Sequence, residues 1–179
     1  MPKSFEELDA HITKYIQGNF NEFDVLKDAI KKLEPGDVYV EMGVDEGKSF
    51  RVAHEYAKEG VFKIGIDIHD VVPHEKSIGR APFMEQEGIV GIGKTGFYVH
   101  GDGDIFAKVF DRPFVDLLLL DPHHDYESIK SATLAWEPLM KKGSTIIFHD
   151  YDHPDTKRWL DEHYKEKEIF YGKVVVVRK

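Results

Sequence analysis

The chain has no cysteine, which removes disulfide frameworks, thiolate metal sites and cysteine nucleophiles together. It has no apolar run of membrane-spanning length, and its start, MPKSFEELDAH, lacks the apolar core of a signal peptide. A cytoplasmic protein with no membrane partner is therefore expected. Positive charge is short, with 24 Lys+Arg against 33 Asp+Glu and a formal net charge of −9. A phosphate backbone asks for a basic face, so nucleic acid is not an expected partner. Internal repeats and low-complexity tracts are absent too. What is present is ordinary for a globular chain: 179 residues, 41% hydrophobic and 32% charged. That length reads as a single domain over 1–179, able to bury ~70% of its unfolded surface without staples.

Residues 4–33 carry two helical patterns. Phe5, Leu8, Ile12, Tyr15 and Ile16 make the first, and Phe23, Leu26, Ile30 and Leu33 the second. We read 1–35 as an N-terminal helical extension, closed by the turn Pro35-Gly36-Asp37. The pattern then changes to short apolar strands alternating with helices. Strands are expected at 38–40, 62–66, 97–99, 115–120 and 145–148, with helices at 49–58, 105–110, 127–140 and 156–164. The chain closes with 169–171 and 174–177, separated by Gly172 and so joined as an antiparallel hairpin. Continuous apolar strands alternating with helices predict a mostly parallel sheet covered on both faces.

Five strands in a row end in polar residues: Glu41, Asp67, His100, Asp121 and His149. In an open α/β sheet those ends form the ligand crevice. The first is followed by Gly43 and Gly47, whose spacing lets a backbone turn tightly against a ligand. Twenty residues after Gly47 comes Asp67, a carboxylate able to accept ribose hydroxyl hydrogens. By contrast, 69–96 holds five glycines and two prolines where a crossover helix is due. That composition predicts a lid-like loop with a short helix near 83–87.

The segments VEMGVDEGKS, GIDIH, HGDGDIF, DLLLLDPHHDYESI and GSTIIFHDYDHP, in this order, resemble class I S-adenosylmethionine-dependent methyltransferases. The likeness is strongest to a small branch with D-G-D-H-x-Y-E and H-D-Y segments. The resemblance implies a Rossmann-like seven-stranded sheet of order 3-2-1-4-5-7-6, its last strand antiparallel, with helices on both faces. It implies S-adenosyl-L-methionine as cofactor, held by Glu41, Gly43 and Gly47 at the methionine part and by Asp67 at the ribose. Ile68 or His69 would lie against the adenine, Asp102 near its amino group, and Asp121 at the methionine end beside the reacting centre. His124 matches the motif histidine and becomes the candidate catalytic base or orienting group, together with Asp121. Tyr126 and Glu127 would start a helix.

Histidines and acids gather in two knots, Asp121-Pro122-His123-His124-Asp125 and His149-Asp150-Tyr151-Asp152-His153. If adjacent strands end there, Asp121, His123, His149 and Asp150 are candidate ligands for a divalent metal. Magnesium prefers oxygen, which suits Asp121 and Asp150. His123 and Pro122 depart from the branch's motif and leave room for a softer ion or none. His153-Pro154-Asp155 reads as a helix start.

The function expected is methyl transfer to an oxygen or nitrogen of a small-molecule acceptor. The N-terminal helices would wall its pocket or form a homodimer contact; the sequence leaves the oligomeric state open. Three other readings compete. Gly88 to Thr95 spells a P-loop letter for letter, which requires a strand before it and a helix after it; RAPFMEQE precedes it and strand-like Phe97-Tyr98-Val99 follows. A nicotinamide oxidoreductase would share the glycine turn and Asp67, yet the G-x-G-x-x-G spacing is missing. A catalytically degenerate cofactor-binding or interaction protein would keep the turn and lose the chemistry.

Overall fold

The structure, a computed structural model, describes residues 21–45, 47–68 and 96–179. The expected helix at 4–16, the P-loop-like letters 88–95 and most of the glycine-rich loop, with His69, Lys76, Arg80 and Lys94, lie outside those residues. In chain order the described elements are α1 (Asn21–Ile30), β1 (Val38–Met42), α2 (Lys48–Tyr56), β2 (Phe62–Asp67) and β3 (Gly96–His100). They continue with α3 (Gly103–Ala107), β4 (Val115–Leu120), α4 (Tyr126–Trp136), β5 (Met140–Phe148), α5 (Pro154–His163), β6 (Glu168–Phe170) and β7 (Val174–Arg178). The strands form one sheet in the order β3-β2-β1-β4-β5-β7-β6. Strands β1 to β5 run parallel, and β7 is antiparallel to both β5 and β6. This is the sheet the sequence predicts, including the closing hairpin.

Side chains on a strand alternate between faces, and here both faces are covered. Tyr39, Leu117, Leu119, Ile147, Val174 and Val176 point into a core shared with Leu26 and Ile30 of α1 and Phe50 and Ala53 of α2. Val40, Leu118, Leu120, Ile146, Phe148 and Val175 point the other way, against Ile129 and Trp136 of α4 and Trp159 and Leu160 of α5. Burying each leucine of β4 is worth ~1.5–3 kcal/mol, which makes this central strand the backbone of both cores. The described part of the N-terminal region is integral to the fold, since Leu26, Ile30 and Leu33 are all buried.

Several boundaries differ from expectation: α3 runs Gly103–Ala107 rather than 105–110, and two further differences have a visible cause. Helix α4 stops at Trp136 and a 3-10 turn, Glu137–Leu139, follows. Pro138 lacks the N–H that would continue the α-helical ladder. Strand β5 starts at Met140, five residues earlier than read, through Lys141-Lys142-Gly143. Those residues have poor strand propensity, and an ion pair between Lys141 and Asp116 (2.7 Å) holds the extension to β4. No helix among the described residues is long and apolar enough to cross a membrane.

Candidate active site

Strand register assembles the site. Met42 pairs with Ile66 on one side and Leu120 on the other, and Leu120 pairs with Phe148. The residues that follow these four, Gly43, Asp67, Asp121 and His149, therefore stand in one row at the carboxyl edge of the sheet. The backbone ladder runs past the strand ends to hold that row. Gly43 N–H donates to the Ile66 carbonyl (2.9 Å), Asp121 N–H to Met42 (2.9 Å) and His149 N–H to Leu120 (3.2 Å). Above the row opens a cleft of about 540 Å³, lined by Gly43, Asp67, Ile68, Asp102, Asp121, His123, His124, His149 and Asp150 among others.

Gly43 has φ 89°, and a Cβ there would fall 1.8 Å from the Asp121 carbonyl oxygen. Only glycine fits, because any side chain would push β1 and β4 apart where they meet the cleft. Gly47, at φ 80°, is the residue from which α2 starts. The G-x-x-x-G spacing thus serves one close approach and one helix entry. Between them Asp45 donates its backbone N–H to Asp67 Oδ2 (2.8 Å), tying the turn to the end of β2. Ile68, next to Asp67, is half exposed in the cleft.

Glu41 precedes this turn and is fully enclosed. Ser49 Oγ donates to its Oε1 and Tyr39 Oη to its Oε2, both at 2.5 Å. Burial outweighs these two bonds and pushes its carboxyl up to about 8. Asp102 caps α3, its Oδ1 accepting from Asp104 N–H (2.8 Å) and Ile105 N–H (3.2 Å). One of its oxygens is thereby committed to the helix while the residue still lines the cleft.

The two histidine–acid knots do meet. His124 Nε2 lies 2.8 Å from Asp150 Oδ2 and 3.6 Å from Asp121 Oδ1. His149 Nδ1 lies 3.1 Å from Asp150 Oδ2 and 3.6 Å from Asp121 Oδ2, with Glu22 of α1 3.7 Å from its Nε2. Asp150 adopts φ 53°, a left-handed conformation uncommon outside glycine and concentrated at functional sites. Burial works against charge on Asp121, yet hydrogen bonding to His124 and His149 holds its carboxyl below the ordinary range. Burial likewise disfavours charge on His149, and the Asp121 and Asp150 carboxylates overcome it, raising the imidazole to about 10. His124 is raised as well, chiefly by Asp121.

Asp121, His124 and Asp150 each place a ligand atom within 4.8 Å of the others, a group that could hold a metal ion. Of the four expected metal ligands, Asp121 and Asp150 are in this group, His123 and His149 are not, and His124 joins it. His124 reaches the carboxylates, while its neighbour His123 lines the cleft outside the group. Tyr126 opens α4 behind the N-cap Asp125, and Pro154 opens α5 behind His153, as read. Sequence reasoning missed Glu22, Tyr39, Ser49 and Asp104 as neighbours of the site. For Tyr39 a signal existed: it stands two residues before Glu41 on a strand, hence on the same face.

A seven-stranded sheet of this order, with a polar cleft over β1, β2 and β4, defines the class I methyltransferase fold. The chain belongs to the family described as a methyltransferase domain, whose model matches residues 40–151. No curated protein sequence matches the chain. Among solved structures it resembles a methyltransferase from Geobacter sulfurreducens (TM-score 0.67, 11% identity, 100% of this chain and 92% of that one). It also resembles a proposed caffeoyl-CoA O-methyltransferase from Staphylococcus aureus (TM-score 0.69, 12% identity, 99% and 92%). A protein from Corynebacterium glutamicum is similar at 9% identity (TM-score 0.69, 98% and 88%). At such identities the likeness establishes the fold.

Proposed function

We propose that the chain transfers a methyl group from S-adenosylmethionine to an oxygen or nitrogen of a small molecule. The observation that carries this is the row Gly43, Asp67, Asp121 and His149, lining one cleft in a methyltransferase-family chain. When bound, the cofactor supplies a methyl on a cationic sulfonium, ready for attack by a lone pair. Asp67, 7% exposed at the end of β2, is the carboxylate for the ribose hydroxyls. Ile68 gives an apolar edge for the adenine and Asp102 an acid beside it. The Gly43 to Gly47 turn, backed by Glu41, receives the methionine part. Asp121, kept anionic by its imidazole partners, favours the positive sulfonium and the amino group. Most of the acceleration would come from holding acceptor and methyl in line. His124, half exposed at the mouth, takes the acceptor proton once it is neutral. Because its pKa is raised, the rate should climb with pH above the ordinary imidazole range, and His124→Gln should flatten that limb.

The test is calorimetric titration with S-adenosylhomocysteine, with ATP and NAD alongside. S-adenosylhomocysteine binding at micromolar level with no response to ATP or NAD is expected. In the Asp67→Ala variant binding should weaken by ~1–3 kcal/mol, the loss of charge-assisted hydrogen bonds; unchanged affinity would remove the ribose assignment. Binding of ATP alone would point to the glycine-rich segment 88–95, although the strand β3 begins directly after it. S-adenosylhomocysteine binding with no methyl transfer from S-adenosylmethionine to any acceptor would favour a degenerate cofactor-binding protein.

A second reading of the knot is favoured by the grouping of Asp121, His124 and Asp150. Two carboxylates and an imidazole depart from the all-oxygen set magnesium prefers and fit a borderline ion such as zinc or manganese. An imidazole holding an ion cannot take a proton, so chelator separates the two uses of His124. Rate kept in chelator assigns proton transfer; rate lost, and restored by zinc or manganese, assigns the ion.

A further inference from the structure

Asp150 is the acid on which both imidazoles of the knot converge, and its backbone holds the left-handed φ of 53°. A residue with a side chain stays in that region only where its surroundings over-determine it. Three backbone bonds bracket it here. His149 N–H donates to the Leu120 carbonyl (3.2 Å), His153 N–H to the Asp150 carbonyl (2.9 Å), and Tyr151 N–H to the Lys173 carbonyl (2.8 Å). The peptide between Asp150 and Tyr151 is thus held at its oxygen and at its nitrogen. The side chain of Tyr151 adds a fourth tie. It is buried in the core shared with Trp159 and Leu160 of α5, and its hydroxyl donates to Asp161 Oδ1 on that helix (2.7 Å). Lys157 closes the group, its ammonium 3.2 Å from the same hydroxyl, 4.9 Å from the ring centroid and paired with Asp161 Oδ2. Lys167 holds Asp161 Oδ1 from the far side (2.9 Å). Tyr151 is not among the described residues that line the cleft.

We propose that Tyr151, latched to Asp161, is a positioning residue for the knot. It keeps Asp150 left-handed, so that a single oxygen, Oδ2, stands 2.8 Å from His124 Nε2 and 3.1 Å from His149 Nδ1. Without the latch, the backbone of Asp150 relaxes toward the broader allowed regions, and its carboxylate leaves that shared place. His124 needs the carboxylate there whether it takes a proton or shares an ion. The consequence for turnover rests on the methyl-transfer reading; the consequence for backbone conformation does not.

A residue at positive φ brings its amide and alpha protons unusually close, so Asp150 in the ligand-free protein should give a strong Overhauser effect between them. Tyr151→Phe keeps the ring and its packing and removes only the hydroxyl. A hydrogen bond to a carboxylate shifts a two-state balance by about tenfold or more, so the effect should fall to about half or less. Asp161→Ala should do the same, and the double variant should lose no more than either single one, because both act through one bond. Asp161→Asn, whose amide oxygen still accepts from Tyr151, should keep the effect. Lys167→Met removes an ion pair from Asp161 and leaves the latch intact, so it too should keep the effect. An undiminished effect in Tyr151→Phe, or an equal loss in Lys167→Met, would overturn the proposal. In turnover, Tyr151→Phe should lower kcat by the same factor as the Overhauser effect and leave KM unchanged. A raised KM at an unchanged kcat would overturn it as well. If the wild-type chain transfers no methyl group, that reading fails and the Overhauser arm decides the latch alone.

Discussion

Two acids end neighbouring strands of the same sheet and are held in opposite states. Glu41, on β1, is raised to about 8; Asp121, just past β4, is held below the ordinary carboxylate range. Both are largely removed from water, so burial alone would raise both. Their partners decide the difference. Glu41 meets the hydroxyls of Tyr39 and Ser49, which stabilise a charge weakly. Asp121 meets the imidazoles of His124 and His149, which become cations and return the favour by rising themselves. One end of the cleft is therefore a carboxyl held mostly neutral at neutral pH among hydroxyls, and the other a knot of paired charges. Glu41 takes up its charge as pH climbs through about 8, whereas His149 keeps its charge until pH climbs through about 10.

The strongest way to break this contrast is to remove the imidazole that carries most of it. His149→Ala leaves Asp121 and Asp150 facing each other with one cation fewer. We expect a loss of about 2 kcal/mol in urea unfolding at neutral pH, less than for a fully buried pair because the side chain is 26% exposed. Asp121 should then titrate in the raised direction, like Glu41; a carboxyl that stays depressed by NMR titration would show that His124 alone suffices. The pH dependence follows by linkage. His149 rises from 6.5 to about 10 on folding, so its contribution is complete below 6.5 and fades as pH climbs through about 10. Wild-type stability should fall across that window, and the slope should shrink in His149→Ala.

The surroundings of Glu41 and the knot were unequally legible in the sequence. The sheet was readable because continuous apolar runs such as Val115 to Leu120 alternate with helices, and because Gly172 forces the last pair to reverse. The cleft's row was readable because polar residues close each strand. Register then did what residue order could not, since Met42 opposite both Ile66 and Leu120 is a fact of pairing. His124 over His123 was out of reach for the same reason, as side-chain direction in a turn depends on backbone angles. Tyr39 looked like one more apolar strand residue, and its hydroxyl acquires meaning only through Glu41. Strand β5 was cut short because Lys141, Lys142 and Gly143 contradict strand propensity and are recruited by pairing with β4.

The smallest effect tests the neutral side of the contrast. Glu41→Gln exchanges a carboxyl, neutral over most molecules at neutral pH, for an amide of nearly the same shape. Its oxygen still accepts from one of the two hydroxyls, while its NH₂ replaces the other accepting oxygen. Below neutrality the variant should cost no more than ~1 kcal/mol in chemical unfolding, the scale of one imperfect hydrogen bond. The sign then works in its favour as pH rises. A carboxyl whose pKa goes from 4.5 to about 8 on folding contributes stability that is complete below 4.5 and declines through about 8. The amide has no such decline, so the stability curves of variant and wild type should converge above neutral pH and cross in mild alkali. A difference that stays constant from acid to alkali would mean that Glu41 is charged throughout. The two ends of the cleft would then differ in their partners and share one protonation state.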